Sequence, residues 1–158
     1  MALTSSFGYT NKVANATKVN PVDIMPITNY ARTEETVQRC VLNNITCPLD
    51  QGELVTYSHI ELEKVTSQQV LQNPAPVRNG VQYVVKVEEI LRTRNTTGDI
   101  VMDEPIVVYL TIKHQKTGNI TSAHIEEVVA RLMGACMKTD GTYRFGDLMR
   151  SAISPTKN

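Results

Sequence analysis

The chain has 158 residues, of which 41% are hydrophobic and 20% charged, as suits one folded domain with a core of its own. Sixteen basic residues cancel sixteen acidic ones, which excludes a global polycation, so any nucleic-acid binding must come from a local basic face. No apolar run approaches the roughly 18–20 residues of a membrane span, and the N-terminus lacks a charged start followed by an apolar stretch; synthesis in the cytoplasm with no membrane partner is expected.

Residues 1–35 are polar and broken by Pro21 and Pro26, and they read as an N-terminal hairpin or arm. A sheet is expected over 36–114. Residues 36–46 alternate loosely as a strand, with Val37 and Val41 against Gln38 and Cys40. A turn-rich connection follows at 47–53. Residues 54–64 form another strand, in which Ile60 and Leu62 alternate with His59, Glu61 and Glu63. A long polar loop at 66–80 holds Pro74, Pro76, Asn79 and Gly80. Two long strands follow at 81–91 and 104–114, joined through 93–99. In the first, Val81, Tyr83, Val85 and Val87 oppose Gln82, Val84, Lys86 and Glu88. In the second, Ile106, Val108, Leu110 and Ile112 oppose Val107, Tyr109, Thr111 and Lys113. One face of these strands needs covering; the other is aromatic, hydroxylic and basic.

Two helices are expected over 120–154. Thr121 and Ser122 are hydroxyl N-cap candidates, with Glu126 and Glu127 placed to favour the positive end of the helix dipole. Ile125, Val128, Val129, Leu132, Met133 and Cys136 then recur at helical spacing as one stripe. Lys138, Asp140 and Gly141 turn the chain. A second helix carries Phe145, Leu148, Met149 and Ala152 on one side and stops at Pro155. Strands joined by connections in sequence and followed by helices predict an α+β fold: an antiparallel meander with two C-terminal helices on one face, within a single domain of residues 1–158.

Catalytic chemistry has little to stand on. His59, His114 and His124 share no arrangement with a nucleophile or a carboxylate pair, so no enzyme is predicted. Cys40, Cys47 and Cys136 lack metal-ligand spacing and read as small buried or half-buried thiols; neither metal nor cofactor is expected. The face carrying Tyr109, Thr111 and Lys113, with Lys86 on the adjacent strand, has the aromatic platform, hydroxyls and cations that hold single-stranded nucleic acid. An ordinary solvated sheet face carries the same residue types through β-propensity, and Glu88 would repel phosphate. A last strand as apolar as 104–114 would also leave a long open edge in a monomer, which pairing with a two-fold copy removes. An obligate homodimer is therefore expected, with Ile125, Val128, Val129, Leu132, Met133, Phe145 and Leu148 as packing residues.

Five segments in order carry a resemblance: Cys47-Pro-Leu-Asp-Gln-Gly-Glu-Leu-Val-Thr-Tyr57, Gly80-Val-Gln-Tyr-Val-Val-Lys86, Asp103-Glu-Pro-Ile-Val-Val108, Ile120-Thr-Ser-Ala-His124 and Asp147-Leu-Met-Arg-Ser-Ala152. Over roughly 36–155 the chain resembles the coat proteins of single-stranded RNA bacteriophages. That resemblance implies an interlocked dimer whose helices cross over the partner, and an icosahedral T=3 shell with genomic RNA on the sheet's inner face. It implies a virion protein assembled in the bacterial cytoplasm, and repression of translation through an RNA hairpin. By the same resemblance Tyr109 and Lys86 match hairpin-contacting positions. Thr111 stands where the best-known members carry Asn, and Lys113 where they carry an acid. Tyr57 and His59, on the neighbouring strand, are expected to join this RNA face. The alternative is a free dimeric RNA-binding regulator that forms no shell.

Overall fold

A computed structural model of the chain describes residues 25–62, 80–116 and 118–150. The expected arm over 1–24, the end of the second strand at Glu63, the polar loop at 66–79, and the helix residues Ala152 and Pro155 lie outside the described residues. The chain divides into two compact units, a sheet unit of Met25–Thr117 and a second unit that contains the helices.

Five strands form one antiparallel sheet in sequence order: β1 (Tyr30–Glu35), β2 (Arg39–Asn44), β3 (Leu54–Leu62), β4 (Gly80–Arg94) and β5 (Ile100–Gln115). The meander expected from the alternating segments is present, with corrections to its extent. β1 lies inside the segment read as an N-terminal hairpin or arm, so the sheet begins before residue 36. Val37, expected on a strand, is instead at the β1–β2 turn and almost wholly exposed. There the Thr36 hydroxyl accepts from the Arg39 amide at 3.0 Å, and the Thr36 amide donates to the Arg39 carbonyl at 2.7 Å. β4 and β5 are also longer than expected, so their connection shrinks to 95–99. Asn95 Oδ1 accepts from the Thr97 and Asp99 amides at 3.0 and 2.9 Å, and Gly98 takes a φ of 93° that a side chain would resist.

The two outer strands differ in how they end the sheet. β1 has six residues, a register shift between Arg32 and Glu34, and charges at Arg32, Glu34 and Glu35, all devices that discourage further pairing. β5 has sixteen residues and runs in regular register with β4 over almost its whole length. β3 begins opposite Glu88, so β4 and β5 continue past it as a two-stranded arm. Arg92 braces that arm. Its guanidinium takes both oxygens of Asp103 at 2.8 Å and reaches Asp50 Oδ2 at 2.9 Å and the Asp50 carbonyl at 3.1 Å. The buried apolar side chains among the described residues are Val41, Leu42, Val55 and Val81, in the middle of the sheet. Such a core is small for strands of this length.

In the second unit, α1 (Ser122–Ala135) follows Thr121 as N-cap. Its first turn contains no acid; Glu126 and Glu127 fall one turn too late for the expected role. His124 closes the capping box instead, accepting from the Thr121 amide at 3.2 Å through Nδ1. Cys136, the last residue of the expected stripe, stands at the C-cap. A tight turn follows, with Gly141 at φ 84° and Asp140 Oδ1 accepting from the Thr142 amide at 2.9 Å. The five-residue α2 (Phe145–Met149) carries the first three of the residues expected on the second helix. No residue of either helix is buried; Val128, Leu132, Phe145 and Leu148 are each about half exposed, while Ile125 and Val129 are half-buried. Among the described residues no helix is long and apolar enough to cross a membrane.

Candidate nucleic-acid interface

Residues directly opposite in an antiparallel pair project to the same side, so the registers assign every side chain to one of two faces. Lys86 pairs with Tyr109, Val84 with Thr111, and Gln82 with Lys113. The four residues expected to form one polar face are therefore neighbours on it. On β3 the register adds Thr56, opposite Lys86, and Ser58, opposite Val84; on β2 it adds Arg39, opposite Ser58. A continuous row thus runs Val41, Thr56, Lys86, Tyr109, with Arg39, Ser58, Val84, Thr111 beside it.

Tyr57 and His59 do not belong to this face. Tyr57 pairs with Val85 and His59 with Tyr83, on the opposite side, which carries Leu42, Val55, Val81, Leu110 and Ile112. There His59 stacks on Tyr83 with ring centroids 5.7 Å apart, and Tyr83 meets His114 at 5.6 Å. The expectation for these two residues is corrected by one position of parity. Thr56 and Ser58 hold the places assigned to them.

The electrostatics of the polar face are graded. Lys86 Nζ lies 5.9 Å from the Tyr109 ring centroid and 3.0 Å from Glu88. It is thus partly neutralised, and the ring is a platform with a cation beside it. Arg39 sits 4.0 Å from Glu34, both well exposed. Lys113 has no ion-pair partner among the described residues. Tyr109 is 62% exposed, enough for a flat aromatic partner to lie on it. Arg92, on the same side of the arm, has its donors committed to Asp103 and Asp50, which hold it firmly charged and unavailable to a ligand. Arg94 donates to the Gly98 carbonyl at 2.8 Å.

Cys40, Cys47 and Cys136 are half-buried free thiols. Among the described residues no group of three His, Cys, Asp or Glu could hold a metal ion. The acid pair Glu53 and Glu89 went unremarked in the sequence because 36 positions separate its members; the β3–β4 register places Glu53 next to that pairing, beyond Leu54 and Glu88.

An antiparallel five-stranded meander with one fully featured polar face, followed by a long and a short helix, defines an α+β class. Bacteriophage virus-like particles are built on this same fold. The virus-like particle of bacteriophage AVE015 matches with a TM-score of 0.75 at 17% identity, covering 92% of this chain and 99% of that one. The virus-like particle of bacteriophage GQ-112 matches at 0.71 with 11% identity, covering 96% and 98%. No protein-family model matches the sequence, and no curated protein does. The expected resemblance to phage coat proteins holds at the level of fold.

Proposed function

We propose that this chain is a phage coat protein: it dimerises, assembles a closed shell and packages single-stranded RNA, with a structural rather than catalytic role. The observation that carries this reading is the likeness of fold to two virus-like particles over nearly the whole of all three chains. Two features support self-association. β5 is a long outer strand with Ile106, Val107, Val108 and Tyr109 all exposed, and an edge of that length favours pairing with a two-fold copy. The stripe of α1 is half exposed, so Val128, Leu132 and Met133 have apolar surface to give to a partner.

RNA contact is proposed for the polar face. Tyr109 supplies a stacking platform, Lys113 and Arg39 supply charge, and Ser58 and Thr111 supply hydroxyls that can donate to phosphate or bases, while Thr56 on the same face is buried. Lys86 acts beside Tyr109 once phosphate competes with Glu88. Icosahedral T=3 geometry, translational repression through a hairpin, and assembly in the bacterial cytoplasm to give a virion complete the proposal. Electron microscopy of the protein expressed by itself tests it. Closed shells are expected; soluble dimers that bind RNA without forming shells would favour a free regulator instead.

A further inference from the structure

β3 accompanies β4 only as far as Glu88, which pairs with Leu54. Residues 107–115 of β5 therefore lie where β4 is flanked by β3 as well, while residues 100–106 rest on the end of β4 alone. A two-stranded ribbon is marginal in water, and it twists more than strands inside a wider sheet. Left to itself, this arm would carry its part of the β5 edge out of line with the rest.

The β2–β3 connection, residues 45–53, stands beside the arm where β3 is missing. It is anchored at both ends. The Ile45 amide donates to the Asn29 carbonyl at 2.9 Å, and the Asn44 amide donates to the Glu53 carbonyl at 3.1 Å. Asn44 Nδ2 donates to Glu53 Oε1 at 3.0 Å, and the Tyr30 hydroxyl donates to the same oxygen. A turn closed by the Gln51 amide on the Pro48 carbonyl at 3.1 Å then presents Asp50 and Gln51 to the arm. Gln51 Nε2 donates to the Ile90 carbonyl at 3.0 Å. Arg92 donates to Asp50 Oδ2 at 2.9 Å and to the Asp50 carbonyl at 3.1 Å. The same guanidinium reaches across the arm to both oxygens of Asp103 at 2.8 Å. One side chain, itself only 6% exposed, thus joins the connection, β4 and β5.

We propose that Arg92 is a positioning residue: with the β2–β3 connection it stands in for the missing part of β3 and sets the twist of the arm, so that β5 presents one continuous edge to a second copy of the chain. The second copy rests on the self-association proposed above; the brace itself lies within one chain. Lysine cannot replace Arg92 here, because an ammonium point charge does not hold two carboxylates in a planar fork.

The test compares the full-length protein with Arg92→Lys, Asp50→Ala and Asp50→Glu. Hydrogen exchange of peptides over 89–94 reports the arm, because among the described residues β4 pairs there with β5 alone. Peptides over 80–88 report the body of the sheet. Arg92→Lys and Asp50→Ala should lower protection in 89–94 about tenfold or more, the scale of a lost charge-assisted hydrogen bond, and leave 80–88 unchanged. Asp50→Glu keeps a carboxylate for Arg92 and should exchange like wild type. The dimer dissociation constant, read by sedimentation equilibrium, should rise in the two loosened variants and not in Asp50→Glu. Unchanged exchange in 89–94, or an equal loss over 80–88, would overturn the brace. A loosened arm with an unchanged dissociation constant would overturn its role in the edge. Wild type that stays monomeric would overturn the pairing itself, and the exchange result would still decide the brace.

Discussion

Lys86 stands directly across from Tyr109 in the β4–β5 register, its Nζ 5.9 Å from the ring centroid. The same registers turn Tyr57 and His59 to the other side of the sheet. From this pairing the RNA proposal divides into residues that should matter and residues that should not.

Tyr109→Ala should weaken RNA binding by roughly 1–3 kcal/mol if a base stacks on the ring, with little change in salt dependence. Lys113→Ala should reduce the slope of log affinity against log salt by about 0.7 for the single-strand phosphate contact it loses. Lys86→Ala should have a smaller effect on that slope, because Glu88 already offsets its charge at 3.0 Å. Filter binding at several salt concentrations measures all three, and equal slopes for Tyr109→Ala and Lys113→Ala would undo this division of roles.

Glu88→Gln should tighten RNA binding. The substitution releases Lys86 and removes a negative charge from the polar face. Weaker binding by this variant, with the fold intact by circular dichroism, would count against phosphate at that position.

Tyr57→Ala and His59→Ala should leave RNA affinity unchanged. Their side chains share a face with Tyr83 and His114 rather than with Lys86. A loss matching that of Tyr109→Ala would mean that RNA approaches the other side of the sheet.

These two residues also show where reading the sequence reaches its limit. The alternation within β4 and β5 was legible, and because a short turn joins them, their mutual register followed closely enough to bring Lys86, Tyr109, Thr111 and Lys113 together. Residues 63–79 separate β3 from β4 in the sequence, too long a stretch for the short-hairpin rules that fix register from sequence alone. A slip of one residue exchanges the two faces of a strand, which is how Tyr57 and His59 were expected where Thr56 and Ser58 stand. β1 left hairpin and arm as open readings for a different reason: Arg32, Glu34 and Glu35 on an outer strand with a register shift leave no period-two signal. His124 went unread as a capping residue because Glu or Gln ordinarily fills that position. The stripe of α1 was plain from its spacing, whereas its half-exposed state in the single chain was not.

Leu132→Asp should abolish soluble assembly. Leu132 lies mid-stripe on α1, half exposed in the single chain, and a carboxylate buried there against a partner without a hydrogen bond costs several kcal/mol. Sedimentation velocity reads the outcome; normal particles from this variant would show that the stripe takes no part in association.

A three-dimensional reconstruction of shells formed by the purified protein, with side chains and bound RNA visible, tests the central claim most directly. The account predicts a closed shell of two-fold dimers paired along β5, with RNA density against Tyr109, Lys113, Thr111 and Ser58. Protein that never forms shells, or shells whose RNA lies against the face of Tyr57, His59 and Tyr83, would contradict it.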